Sequence, residues 1–272
     1  MTDQYAVVGN PVEHSKSPQI HALFAEQTDQ DIHYGKLLAP LDAFQTTVLD
    51  FFTRQHGKGL NVTVPFKQQA WDLCDERSDY AELAGAVNTL VYRQGHTIWG
   101  TNTDGIGLVT DLIQNNHIEL ADKRILILGA GGAVRGVLQP ILDQNPAQLF
   151  IANRTESRAH DLATLFGHPQ TLSAGGYAAI SEEPFDVIIN GTAASLQDEI
   201  PPVPREAVQN ANCCYDMMYA SEPTAFVKWA QQQGVPVALD GLGMLIEQAA
   251  ESFAIWRGVR PDTHPVFTAL RE

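Results

Sequence analysis

The sequence predicts an α/β protein of two domains, and three observations carry that reading. Apolar runs of strand length alternate with helical patterns along nearly the whole chain, the arrangement of layered α/β folds. The 272 residues, 44% hydrophobic and without a low-complexity tract, are enough for one large domain or two modest ones. A glycine-rich strand-turn-helix pattern, Arg124–Arg135, begins only near the middle of the chain and so favours two. The first domain is placed at 1–104, completed by 241–272, and the second at 105–240.

Tyr5–Val8 reads as a strand stopped by Gly9-Asn10-Pro11. Ser17-Pro18 is an N-cap and first-turn pair for a helix whose Ile20, Leu23 and Phe24 share a face. Capping explains Ser17 but not Ser15, and two hydroxyls beside the free N–H groups of a helix start make a candidate carboxylate site. Tyr34–Leu38 reads as a strand. Leu41–Phe52 reads as a helix with Phe44, Val48, Leu49 and Phe52 facing the core, and Gly59–Val64 as a third strand. Pro65-Phe66-Lys67 opens the helix through Leu73. A partly buried lysine in a helix's first turn is a candidate to exchange a proton with an alcohol, although a solvated lysine fits the same letters.

Gly85-Ala86-Val87-Asn88-Thr89 leads into a strand through Tyr92, with Ile98–Gly100 as its hairpin partner. Asn88, in an apolar setting, needs hydrogen-bond partners from the backbone or a ligand. Asp104 falls at or near the N-cap of a helix through Ile113, which is a sufficient structural role; it is equally a candidate charge partner for Lys67. The residues from there to Asp122 read as the passage between domains.

Ile125–Leu128 has the length of a buried parallel strand, broken at Gly129 before a helical pattern over Ala133–Leu142. Glycines allow close approach of a pyrophosphate, and the helix N-terminus attracts it. Gly129 and Gly131 fill the first two positions of the dinucleotide fingerprint, with Ala130 between them. Gly132 and Ala133 follow, but the third fingerprint position is Val134, so an ordinary strand-to-helix turn stays open on these residues alone. The next apolar run, Leu149–Ala152, ends at Asn153-Arg154-Thr155, where a carboxylate for a ribose 2′-hydroxyl would stand. Arg154 and Arg158, one helical turn apart, instead suit a phosphate dianion, so the cofactor implied is NADP rather than NAD. Two solvated surface arginines are the alternative. Thr155 can N-cap the helix through Leu165. The whole reads as a Rossmann-like nucleotide-binding domain.

Asp186–Ile189 is a further buried strand, and Asn190-Gly191-Thr192 after it should border the cofactor, because ligands of open parallel sheets lie beyond the strands' carboxyl ends. Pro201–Pro204 reads as a loop, Cys213–Asp216 and Val235–Leu239 as strands, and Thr224–Gln232 as a helix. Gly241 begins the last long helix, through Trp256. If that helix packs on the first domain, Gln248 reaches its site; otherwise it is an ordinary polar face residue.

A net charge of −15 disfavours binding to nucleic acid or an anionic membrane. The three cysteines, Cys74, Cys213 and Cys214, have no framework spacing and read as reduced thiols, hence a cytoplasmic protein. No apolar run reaches membrane-spanning length, and no signal-peptide pattern opens the chain. None of the nine histidines shows a metal-ligand spacing, so no metal is expected. The oligomeric state stays open, with a homodimer as one option.

Eight short motifs stand in one order: Ser15-Lys16-Ser17-Pro18, Asn61–Lys67, Gly85–Thr89, Asn102-Thr103-Asp104-Gly105, Gly129–Ala133, Asn153-Arg154-Thr155 with Arg158, Tyr215–Tyr219, and Asp240–Met244 with Gln248. On these the chain resembles the shikimate dehydrogenase family over essentially its full length. The family's third fingerprint position is not glycine either. The resemblance implies NADPH-dependent, reversible reduction of 3-dehydroshikimate to shikimate, in the pathway to aromatic amino acids. It implies that Ser15, Ser17 and Tyr219 hold the substrate carboxylate, and that Thr63, Lys67, Asn88, Asp104 and Gln248 hold the ring hydroxyls. It further makes Lys67 the proton donor and acceptor with Asp104 as its partner, puts Met217 and Gly241 beside the nicotinamide with Met244 near it, and puts Asp79 near the cofactor. Two alternatives stand beside this reading: a quinate/shikimate dehydrogenase using NAD, against which the two arginines argue, and a noncatalytic NADP-binding regulator that has kept the fold.

Overall fold

The computed structural model describes residues 2–271. Two compact units divide the chain, one holding the residues up to Gly107 together with those from Ile246 onward, the other Leu108–Leu245.

In the first unit β1 (Asp3–Gly9), β2 (Ile32–Leu38) and β3 (Gly57–Val62) are parallel, separated in sequence by α1 (Ser17–Gln27) and α2 (Phe44–Arg54). α3 (Lys67–Leu73), β4 (Glu76–Arg77) and α4 (Asp79–Ala84) follow, then β5 (Thr89–Tyr92) and β6 (Ile98–Thr101), an antiparallel hairpin, and α5 (Asp104–Thr110). The sheet order is β2-β1-β3-β5-β6-β4. Its core contains Val8, Leu60, Val62, Phe44 and Phe66. Phe66 is fully buried and stacks on Phe44 with ring centroids 4.8 Å apart, a pairing that contributes roughly 0.5–1.5 kcal/mol beyond burial and fixes the backbone that carries Lys67.

Some expectations shift here. α2 begins at Phe44 rather than Leu41, and its core face is Phe44, Val48, Phe51 and Phe52, at i, i+4, i+7 and i+8. Leu49 falls off that stripe and is exposed. Ser17 is not the N-cap of α1: Lys16 holds that position without a side-chain cap bond, and the Ser17 N–H donates to Ser15 Oγ at 3.3 Å. Ser15, which capping had not explained, thus makes the local turn, and Ser17 is buried.

The second unit opens inside α5, which a π-helical turn (Asp111–Asn115) continues. β7 (Arg124–Leu128), α6 (Gly132–Leu142), β8 (Gln148–Ala152), α7 (Glu156–Phe166), β9 (Leu172–Gly175), β10 (Val187–Asn190), α8 (Arg205–Val208), β11 (Cys213–Asp216), α9 (Ala225–Gln232) and β12 (Val237–Leu239) follow. Every strand pairing is parallel, in the order β12-β11-β10-β7-β8-β9. Ile125, Leu126, Ile127 and Leu128 of β7 are all fully buried, as a strand covered on both faces requires. α10 (Leu242–Arg257) and α11 (His264–Arg271) close the chain, and their residues from Ile246 onward fold with the first unit. The chain therefore changes unit inside α5 and inside α10. Among the described residues no helix is long and apolar enough to cross a membrane.

Candidate functional site

In the second unit the strand order reverses between β7 and β10, the place where open parallel sheets bind ligands. A cavity of about 600 Å³ lies at the carboxyl ends of these strands, within the range of small-molecule and cofactor sites. Its floor is Gly129–Ala133, the turn from β7 into α6. Gly129 has a φ of +106°, in the region that favours glycine. A side chain at Gly131 or Gly132 would project into open space on the cavity side. Asn153, Arg154 and Arg158 stand on one wall, and Gly191 and Thr192 on another. Glycines open to a cavity, a helix N-terminus at its floor and two guanidinium groups on its wall are the donor set for a dinucleotide bearing an extra phosphate, so the residues fit NADP.

Val134, the oddity of the fingerprint, has a structural explanation. It is fully buried, and a Cβ on Gly191 would lie 2.3 Å from its Cγ2. The small residue that the fingerprint expects on α6 has moved to the facing loop. Gly191→Ala is therefore expected to cost about 1–3 kcal/mol by overpacking, measured by urea unfolding, and Val134→Ala in the same chain should recover most of it. A loss that the second substitution does not relieve would mean another contact is responsible.

Sequence reasoning missed Tyr177 and Met218, which also line the cavity. Burial pushes the Tyr177 phenol up from its usual range, and the charge of Arg154 draws it part of the way back. Tyr177 follows Gly175-Gly176 outside every motif read in the sequence, and Met218 lies inside the Tyr215–Tyr219 motif with no role assigned to it. Thr155 holds the N-cap position of α7 without a side-chain cap bond, and its carbonyl accepts from Asn153 Nδ2 at 2.8 Å. Met217 is buried; Gly241 donates its N–H to the Met218 carbonyl at 3.0 Å, so the two implied nicotinamide neighbours share one patch of backbone. Met244 is buried, and its N–H donates to the Tyr215 hydroxyl at 3.1 Å. Tyr219, just beyond β11, is half-buried, and that burial pushes its phenol up.

In the first unit four of the expected side chains meet. Lys67 Nζ donates to Asp104 Oδ2 at 2.6 Å, with the lysine side chain about one-third exposed (32%) and the aspartate largely enclosed (12%). Asn88 Nδ2 donates to Asp104 Oδ1 at 2.8 Å and approaches Gln248 Oε1 at 3.4 Å. Asp104 is the first residue of α5, but it does not act as its cap. Its own N–H donates to Asn102 Oδ1 at 3.0 Å, so Asn102 makes the local turn and both carboxylate oxygens are left to Lys67 and Asn88. Gln248, far away in sequence, arrives on α10.

Asn88 finds one of the backbone partners expected for it, and side chains supply the rest. Its Oδ1 accepts from the Thr103 N–H at 2.9 Å and from Thr89 Oγ1 at 2.9 Å. Thr89, Thr103 and Ser252 are fully buried, and Ser252 Oγ and Thr89 Oγ1 lie 2.8 Å apart. Asn61 Nδ2 joins the set by donating to Ser252 Oγ at 3.0 Å. These four were not read as site residues. The signal was there in Asn61, an amide inside the apolar run of β3, and in Ser252, one helical turn beyond Gln248. Thr63 follows β3, half-buried, with its N–H donating to the Val8 carbonyl at 3.0 Å. Asp79 is exposed in the first turn of α4, in the first unit.

Residues 7–90 match the family described as the shikimate dehydrogenase substrate binding domain, 111–213 the shikimate / quinate 5-dehydrogenase family, and 241–271 the shikimate 5′-dehydrogenase C-terminal domain. The chain is 56% identical over 270 residues to the shikimate dehydrogenase (NADP(+)) of Hahella chejuensis, covering 99% of each. An Ael1 enzyme from Pseudomonas putida superposes with a TM-score of 0.95 at 44% identity, over 99% of this chain and 98% of that one. Shikimate 5-dehydrogenase from Thermus thermophilus, solved with NADP(H) and shikimate, superposes with a TM-score of 0.86 at 32% identity, over 99% and 98%.

Proposed function

Because the chain belongs to the shikimate dehydrogenase family, we propose that it catalyses the reversible NADPH-dependent reduction of 3-dehydroshikimate to shikimate, in the pathway to aromatic amino acids. The observation that carries this reading is the 2.6 Å contact between Lys67 Nζ and Asp104 Oδ2, because a regulator that had kept only the fold would have no use for a proton-handling pair. Bound NADP supplies the hydride chemistry at its nicotinamide. The protein's share is to orient the substrate and manage one proton. In the reducing direction Lys67 Nζ delivers a proton to the carbonyl oxygen of the substrate; in the oxidising direction it takes the proton back from the hydroxyl. Asp104 keeps the ammonium in place, and Asn88 keeps Asp104 in place. Thr63, Asn88 and Gln248 take the ring hydroxyls on this reading, and Ser15 and Ser17 the carboxylate.

The cofactor would be held by Gly129–Ala133 at its pyrophosphate and by Arg154 and Arg158 at its 2′-phosphate, with Asn153 and Thr155 shaping that wall. Three buried cysteine thiols, none in a disulfide, fit a reducing cytoplasm.

The deciding experiment assays purified protein with shikimate and with quinate, each against NADP and NAD. Shikimate with NADP should give by far the largest kcat/KM. A flat absorbance trace in all four arms, with NADP binding confirmed, would favour the noncatalytic reading; comparable rates with quinate and NAD would favour the broader dehydrogenase. Arg154→Asp is expected to raise the KM for NADP by about tenfold to a hundredfold, the loss of a charge-assisted hydrogen bond, with little effect on NAD. Equal effects on both cofactors would remove the phosphate-clamp role.

A further inference from the structure

Asp216, the last residue of β11, is fully buried. Its Oδ2 accepts from Thr224 Oγ1 at 2.6 Å, and its Oδ1 accepts from Asn190 Nδ2 and from the Met218 N–H, each at 3.1 Å. These donors are neutral, and so is the Ser195 hydroxyl, which also bonds to the carboxyl. Burial pushes the carboxyl up from its usual range, and hydrogen bonds from Ser195, Thr224, the Met218 N–H and Asn190 work against that rise. A carboxylate buried among neutral donors is an expensive way to fill space, and an apolar residue would pack there with less penalty.

Two of these bonds, from Asn190 and from the Met218 N–H, lead to the wall of the nucleotide cavity. An ionised carboxylate can only accept, so Asn190, the last residue of β10, must turn its NH₂ toward Asp216. That orientation leaves Asn190 Oδ1 facing the loop, where it accepts from the Thr192 N–H at 3.1 Å and from Thr192 Oγ1 at 2.7 Å. Thr192 Oγ1 in turn accepts from the Ala194 N–H at 3.3 Å. Thr192, Ala194 and Met218 all line the cavity. The chain of bonds has one direction throughout, from the donor-only N–H groups of Thr192 and Ala194 at the loop to the acceptor Asp216 at the other end, and the Asn190 NH₂ also donates to Ser195 Oγ at 3.3 Å.

We propose that Asp216 is a positioning residue for the nucleotide cavity: by accepting from Asn190 and from the Met218 backbone it fixes the amide orientation that holds the Gly191–Ala194 wall in its binding shape. The inference rests on reading that cavity as the NADP site. It assigns Asp216 no contact with the dinucleotide, only control of the loop that receives it.

The test compares Asp216→Asn, Asn190→Ala and Thr224→Val with the parent protein. Asp216→Asn removes the charge and replaces one acceptor oxygen with a donor NH₂, which weakens the hold on the Asn190 amide and the Met218 N–H. Asn190→Ala cuts the arm to Thr192 while leaving the other bonds of Asp216 in place, and it carries the test should the first variant not fold. Thr224→Val removes the bond on the far side and serves as the control for plain loss of stability. In the first two variants the NADP⁺ dissociation constant from titration calorimetry should rise about tenfold, as expected when buried donors lose their acceptor, with the shikimate KM at saturating cofactor changed less than about twofold. Hydrogen exchange across 191–195 in the ligand-free protein should quicken in both, and Thr224→Val should leave binding and exchange at parent values. Unchanged affinity and exchange in the first two variants would overturn the proposal, and so would an equal loss of affinity in the control. Parent protein that fails to bind NADP⁺ would instead remove the cofactor reading of the cavity, and the exchange rates would still report whether Asp216 holds the loop.

Discussion

Replacing Lys67 with alanine is expected to lower kcat by about 10²–10⁴-fold while the KM for shikimate changes only several-fold, the range for removing a general acid–base. The argument begins with local structure. Phe66, buried and stacked on Phe44, anchors the backbone just before α3, so the lysine leaves a fixed point. The Val87 N–H donates to the Lys67 carbonyl at 2.8 Å and ties the same residue to the segment that carries Asn88. Both ends of the Lys67–Asp104 contact are therefore held by elements with their own reasons to be where they are. Alanine keeps that scaffold and removes only the amine. Steady-state kinetics in both directions make the check, with Asp104→Asn alongside: if Lys67 carries the proton and Asp104 orients it, the asparagine variant should retain more activity than the alanine variant. A variant that loses shikimate binding with turnover intact would make Lys67 a positioning group.

The two halves of the site were not equally legible in the sequence. The nucleotide half is built from contiguous letters, because a strand, a glycine turn and a helix start follow one another in the chain, and Arg154 lies just before α7 with Arg158 in its first turn. Its misses, Tyr177 and Met218, come from a short 3-10 turn after β9 and a loop after β11 that only the sheet order brings to the cavity. Gly191 shows the same limit: its need to be small is set by Val134, 57 positions earlier in the chain. The substrate half depends on tertiary convergence. Lys67, Asn88, Asp104 and Gln248 come from four separate elements, and the polar network beneath them is a property of packing, not of any motif. Ser17 and Asp104 both resembled N-caps, yet neither caps. In each case a neighbouring side chain, Ser15 or Asn102, makes the turn, and that substitution is invisible to a propensity argument. β4, two charged residues long, is too short to display a period, and Leu49 was misplaced because one residue of helical drift separates it from the buried stripe.

Acid should destabilise the protein through one buried ring, and His21→Phe should remove that part of the effect. His21 lies on α1, fully buried, with its ring stacked on Tyr34 at 4.1 Å between centroids and in contact with Phe24, Phe253 and Trp256. Among the described residues neither ring nitrogen has a hydrogen-bond partner. Burial drives its pKa down from 6.5 to about 3, and the nearby Asn61 amide opposes only part of that shift. Tyr34, the titratable group in the stack, is itself held neutral, its phenol pushed well above the usual range by the same burial. The sign follows from linkage. Below pH 6.5 the unfolded chain takes up a proton that the folded chain refuses, so the contribution is intact above pH 6.5 and is lost as pH falls toward 3, by about 1.4 kcal/mol for each unit. Other carboxylates add their own acid dependence, and the comparison with His21→Phe cancels it, since phenylalanine keeps a ring in the stack and takes up no proton. Between pH 7 and pH 5 the stability difference between the two proteins should move in favour of the variant by about 2 kcal/mol, measured by urea unfolding at each pH. Parallel curves for the two proteins would mean that His21 already finds a proton in the folded state, and the apolar stack around it would then have to admit a partner for the charge.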